Sequence, residues 1–205
     1  MSVKFHEAFC LDQARRQFNF EDHFLGDSLR DLWSVAGVGT GAVVDAQDGG
    51  IIRLTTGATS GNIQSLSWGF STRTLLVSKK LTYEMRLKLT QTANTRVIFR
   101  LYFDATDNLG FEFNIASDAT WHIQADSAGT TDVDTNVAAD TSYHIYRIEC
   151  SPTAVHFYID GVETANSPIT ANITAQYLEP YILIWTQEDA AKSMDIDYVW
   201  IRQDR

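Results

Sequence analysis

Proline is scarce, three in 205 residues, and basic side chains are few, 16 Lys and Arg against 26 Asp and Glu. With only 20% charged residues and so little proline, the chain is neither a disordered linker nor a coiled coil. Its net charge of −10 repels a phosphate backbone, and only the short Arg15 and Arg16 pair runs against it, so nucleic acid is not an expected partner. The two cysteines, Cys10 and Cys150, stand far apart in unlike contexts and give no disulfide framework. Cys150 closes an apolar run and reads as a buried free thiol, Cys10 as a half-exposed one. There is no run of about 18 apolar residues and no apolar core of a secretory signal at the start. The expectation is a soluble chain made in the cytoplasm, with no signal peptide, no transmembrane segment and no membrane partner.

What is present is apolar residues, 44% of the chain, arranged with a period of two. Strands are expected at 51–55, 62–66, 81–89, 95–103, 109–116, 120–125, 144–150, 154–159, 181–186 and 194–202, separated by turn clusters such as "DATDN", "DSAGTTD" and the Asp160-Gly161 pair. Many short strands with few helical stretches mean an all-β, two-sheet antiparallel sandwich, and at this length one domain is expected, over 19–205. Residues 1–18 differ. Phe5 and Phe9 stand four apart and "DQARRQ" favours helix, so a short helix or arm is expected there, with Phe5, Phe9, Arg15 and Arg16 as its docking residues.

The alternation sorts side chains by face. Val97, Phe99, Leu101 and Phe103 turn inward, as do Phe111, Phe113, Ile115, Trp121, Ile123, Tyr83, Met85 and Leu87. If these strands are neighbours in one sheet, the open face carries Glu84, Arg86, Arg100, Tyr102, Glu112, Asn114, His122 and Gln124. Such a platform is either a cross-strand ladder of ion pairs that keeps an exposed sheet soluble and in register, or a binding surface. Trp185 and Gln187 would extend it for a sugar, an aromatic ring meeting the pyranose and polar groups fixing its hydroxyls.

Four segments, "FEDHFLGDSLRDLWSV", "DGGIIRLTTGATSGN", "YHIYRIECSPTAVHFYIDGVETANSP" and "SMDIDYVWIRQ", resemble in order and spacing the signature segments of the concanavalin A-like lectin/glucanase superfamily, over roughly residues 20–203. The resemblance implies a jelly roll. Glycan-cleaving members carry a Glu-x-Asp-x-x-Glu strand on the open sheet, where two carboxyls about 5 Å apart do the chemistry. The matching segment here runs from Glu112 through Asn114 to Ser117 and keeps only the first carboxylate, with Glu84 the one candidate substitute. Arg100, His122, Gln124 and Tyr102 are the residue types of a polysaccharide lyase, without its motifs as strings. Related hydrolases also hold a structural calcium, for which the matching positions are Glu21 or Asp22, Gly50 and Asp197. Local capping by Asp197 without any ion is the other reading, and no other cofactor is expected.

Three function classes follow. The expectation placed first is a non-enzymatic virion structural, decoration or attachment protein of a bacteriophage, assembled in the host cytoplasm. It would be held to other virion or capsid proteins by the N-terminal arm and would touch host-surface glycans, with homo-oligomerisation left open. The second is a carbohydrate-binding, lectin-like module. The third is a glycan hydrolase or lyase with a degenerate site.

Overall fold

The computed structural model describes residues 17–26, 28–44, 50–69 and 73–205. The expected arm, with Phe5, Phe9, Arg15, Arg16 and Cys10, lies outside them. Gln17 and Phe18 already belong to the first strand, which pairs with the last.

Two antiparallel sheets face each other, as expected. The eight-stranded sheet has the order β13 (Val162–Glu163), β12 (Val155–Ile159), β11 (His144–Cys150), β6 (Thr82–Leu89), β15 (Ser193–Asp204), β4 (Ile52–Thr56) and β3 (Gly39–Val43), and β1 (Gln17–Asp22) pairs with the far half of β15. The seven-stranded sheet runs β10 (Thr130–Ala138), β9 (Thr120–Asp126), β8 (Asn108–Asn114), β7 (Thr95–Tyr102), β14 (Glu179–Thr186), β5 (Ile63–Ser67) and β2 (Ser34–Gly37). The one helical element among the described residues is a single 3-10 turn, Val77–Lys79. No helix among them is long and apolar enough to cross a membrane.

The period-two alternation builds the core between the sheets. Tyr83, Met85 and Leu87 of one sheet and Val97, Phe99, Leu101, Phe111, Phe113, Trp121 and Ile123 of the other are buried. Their rings meet across the interface, Tyr83 with Phe99 at 4.5 Å, Trp121 with Tyr146 at 4.7 Å and Phe111 with Phe157 at 5.3 Å. Edge-on or tilted pairs of this kind add about 0.5–1.5 kcal/mol each beyond the area they bury. Asp160 and Gly161 take positive φ angles of 51° and 78°, the backbone that a two-residue hairpin between β12 and β13 needs. Cys150 is buried and free.

One expectation about the sheets fails. β6 alternates as cleanly as β7, yet it pairs with β11 and β15 in the opposite sheet. Glu84 and Arg86 therefore leave the sandwich on the side away from Glu112, and the single platform divides into two.

Candidate functional site

The outer face of the seven-stranded sheet gathers most of the expected residues. Strand register aligns Glu112 of β8 with His122 of β9 and with Ile98 of β7, and aligns Gly110 with Gln124 and Arg100. Glu112 is only 7% exposed, too buried to stay charged without partners. It has two. Arg96 Nε donates to Oε1 at 2.7 Å and Arg100 Nη2 to Oε2 at 2.6 Å. Arg100 also donates to Gln124 Oε1. Burial pulls the Arg100 pKa down, and Glu112 and Asp126 work against that.

The chain of contacts runs on to both sides. Gln124 Nε2 donates to Asp132 Oδ2 at 2.9 Å, and the His122 ring lies 2.8 Å from Asp132 Oδ1 and 3.7 Å from Asp118. Burial alone would lower the His122 pKa, but the bonds to Asp132 and Asp118 and the charges of Asp132 and Asp134 outweigh it, and the pKa is raised. On the other side the Arg96 guanidinium covers the Trp185 ring at 5.2 Å, and Gln187 Nε2 donates to Asn114 Oδ1 at 2.8 Å. Tyr102 stacks on Tyr181 at 4.9 Å. Glu112, Asn114, Ser117, His122, Gln124 and Asp132 line one depression of about 50 Å³. That volume holds a few water molecules, not a sugar ring.

Arg100, Tyr102, Glu112, Asn114, His122, Gln124 and Trp185 thus share one face, and Arg86 does not. Arg86 bonds Asp197 on the opposite side of the molecule, under the Tyr143 ring. Three members escaped the sequence. Arg96 and Asp132 complete the charge pairing, and Gly110 leaves room for Arg100. Asp132 was hidden because it ends the "DSAGTTD" cluster that reads as a turn, and β10 offers little apolar face beyond Val133 to mark it as a strand. Neither Asn114 nor Ser117, the positions that the resemblance matched to carboxylates, is an acid, but Asp132 brings a second acid to the depression from two strands away.

Asp22 and Asp197 do not converge as calcium ligands, and Glu21, the alternative to Asp22, is exposed with its Oε1 2.7 Å from His23 Nε2. Asp22 turns into the interior, accepting from Trp33 Nε1 at 2.8 Å and Phe24 N at 2.9 Å, whereas Asp197 turns outward to Arg86. The two carboxylates leave the sheet on opposite sides. Gly50, at φ 66°, lies so close to Phe24 and His23 that a Cβ would fall 2.5 Å from the Phe24 carbonyl oxygen, which accounts for the glycine without an ion. Among the described residues no group of three or more His, Cys, Asp or Glu is placed to hold a metal.

Comparison with known proteins bears on these assignments. No curated protein matches the chain. Among solved structures, a protein of unknown function from Shewanella oneidensis superposes with a TM-score of 0.67 at 13% identity, covering 92% of this chain and 87% of that one. A β-glucanase of Bacillus licheniformis gives 0.64 at 18% identity over 89% and 97%. A pseudo β-1,3-glucanase of Mycobacterium tuberculosis gives 0.66 at 15% over 91% and 98%. At these identities the likeness is one of fold. It overturns the virion reading all the same: the neighbours are mostly glucanases or pseudo-glucanases, and nothing points to a bacteriophage origin. The expectation of a non-enzyme, which rested on the missing carboxylate pair, is overturned by the same glucanase neighbours. A family model described as the concanavalin A-like lectin/glucanases superfamily, of laminin-G type, matches residues 40–201, and the chain belongs to that superfamily.

Proposed function

We propose that this chain recognises a glycan along the outer face of the seven-stranded sheet, as a carbohydrate-binding module built on a glucanase-like fold. The observation that carries the reading is the unbroken strip from the Trp185 ring through Arg96, Glu112, Arg100 and Gln124 to Asp132. An aromatic face meets the apolar side of a pyranose, and donors and acceptors already held by one another orient its hydroxyls with little left to order on binding. The depression beside Glu112 is too small for the ring, so the sugar chain lies across its mouth. Neighbours named as glucanases support a β-linked glucan as the ligand class. Affinity retention on insoluble β-1,3-glucan and on mixed-linkage β-glucan tests this. Retarded wild type with clearly weaker retention of Trp185→Ala and Arg96→Ala supports it, and wild type that passes freely over both glucans rules it out.

A second reading, glycan cleavage at a rearranged site, is favoured by one observation: Asp132 joins Glu112 at the same depression, with His122 between them. Strands β8 and β10 flank β9, so their backbones stand about 9.5 Å apart. That suits two acids with a water between them better than the direct displacement, which needs about 5 Å. On this reading Glu112 and the Asp132–His122 pair share the acid and base roles. Release of reducing ends from β-glucans or alginate, lost in both Glu112→Gln and Asp132→Asn, would establish it; no release from any of them would dismiss it.

A further inference from the structure

The outer face of the eight-stranded sheet carries a second aromatic platform that the site above does not use. Of the five tryptophans, Trp33, Trp68 and Trp121 are buried and Trp185 belongs to the strip already described. Trp200 is the fifth. It stands on β15 between two core residues, Val199 and Ile201, and so points outward, flanked in register by Glu21 of β1 and Glu84 of β6. Asn19 Oδ1 accepts from its indole N–H at 2.9 Å and fixes the orientation of the ring. Tyr198, two residues back on the same strand, adds a second ring about 6.7 Å along it, tied by its hydroxyl to Glu84 Oε1 at 2.7 Å. The His23 ring lies 5.7 Å from Tyr198.

Two depressions of about 360 Å³ each open on either side of Trp200, one bounded by Glu21, His23, Glu84 and Tyr198, the other by Gln17, Asn19 and Arg202. Each reaches the lower end of the size range of small-ligand sites. The rim mixes two carboxylates with an imidazole, two amides and a guanidinium. An ion of either sign would meet charges of both signs there, whereas sugar hydroxyls, which both donate and accept, suit every one of these groups. We infer that Trp200 and Tyr198 form a second glycan subsite, taking a neutral pyranose chain laid along β15 on the face opposite the first. The ligand class rests on the reading proposed for the other face; the location does not.

Two subsites on opposite faces cannot grip one oligosaccharide, but they can hold two strands of a polymer, where linked binding multiplies retention about 10²-fold or more. The full chain is therefore tested on insoluble β-1,3-glucan and, by the tryptophan indole N–H resonances, against a soluble β-1,3-glucan oligosaccharide. Expected are an at least tenfold loss of retention in Trp200→Ala and partial recovery in Trp200→Phe, which keeps an aromatic face. The oligosaccharide should shift the Trp200 resonance even in Trp185→Ala. An unshifted Trp200 resonance with undiminished retention in Trp200→Ala overturns the inference. Retention that depends on Trp200 but not on Trp185 overturns the reading of the first face and leaves this one standing. Unfolding of Trp200→Ala is checked against Asn19→Ala, which releases the ring without removing it and should weaken the same binding.

Discussion

Arg100 lies across Gly110. The two are paired in register, and Gly110 is paired in turn with Gln124 on the next strand, so the guanidinium passes over the glycine to reach Gln124. A Cβ at Gly110 would fall 2.1 Å from the Phe99 carbonyl oxygen and 2.8 Å from Arg100 Cγ.

Gly110→Ala should therefore force β7 and β8 apart and tilt Arg100 away from Glu112. Overpacking of this kind costs about 1–3 kcal/mol. Denaturant unfolding measures the loss, and glycan retention should fall with it. A variant as stable as the wild type would mean that the strands slide freely at this point.

Glu112→Gln leaves Arg96 and Arg100 without their shared carboxylate, at a site where all three side chains are largely withdrawn from water. Removing one partner of such a group costs roughly 3 kcal/mol. The expected outcome is a lower unfolding midpoint at unchanged denaturant slope. Glu84→Gln on the opposite face keeps an oxygen that accepts from Tyr198 and loses only the charge and a long contact to Arg147 in a more exposed setting, and should cost less than Glu112→Gln.

How far the sequence disclosed this arrangement differs from residue to residue. Phe99, Phe111, Phe113 and Trp121 were legible as core because each alternates with a polar neighbour, and burial of one face enforces that pattern. Alternation says which way a side chain points but not which strand lies alongside. That is why Glu84 and Arg86 were placed beside Glu112 when β6 pairs in the other sheet. The strands at the sheet edges stayed hidden for another reason. β3 is rich in glycine, and β10 carries acids and no full apolar face, since an edge strand does not have to fill a core. With β10 went Asp132, and with Asp132 the second acid of the site.

His122 gives a pH test. Its folded pKa is raised, so the protonated ring is favoured by folding. That stability is fully present below the ordinary imidazole value of 6.5 and is lost as the pH rises through the raised one. His144, raised by Asp160 and Asp140 against the pull of burial, acts with the same sign. The unfolding midpoint of the wild type should drop as the pH climbs from about 6 to about 8, and less steeply in His122→Gln. A steeper drop in the variant would contradict the assigned pairing with Asp132.

Cys150 is buried and its thiol is pushed up by burial, with the Glu149 charge adding to the effect. The thiolate is the reactive form, so an alkylating reagent should leave Cys150 unmodified in the folded chain at neutral pH and label it in denaturant. Peptide mapping reads the residue directly. Labelling of Cys150 in the native chain would show that the edge formed by β11 and β12 opens.

On the proposed reading, the outer face of the seven-stranded sheet binds a glycan through Trp185 and the Arg96–Glu112–Arg100 cluster. Titration of the labelled chain with a β-glucan oligosaccharide, following side-chain N–H resonances, tests it most directly. The account predicts saturable shifts of the Trp185 indole and of the Arg96 and Arg100 guanidinium signals, with Trp33, Trp68 and Trp121 unmoved. Unchanged Trp185 and arginine resonances at saturating oligosaccharide would contradict it.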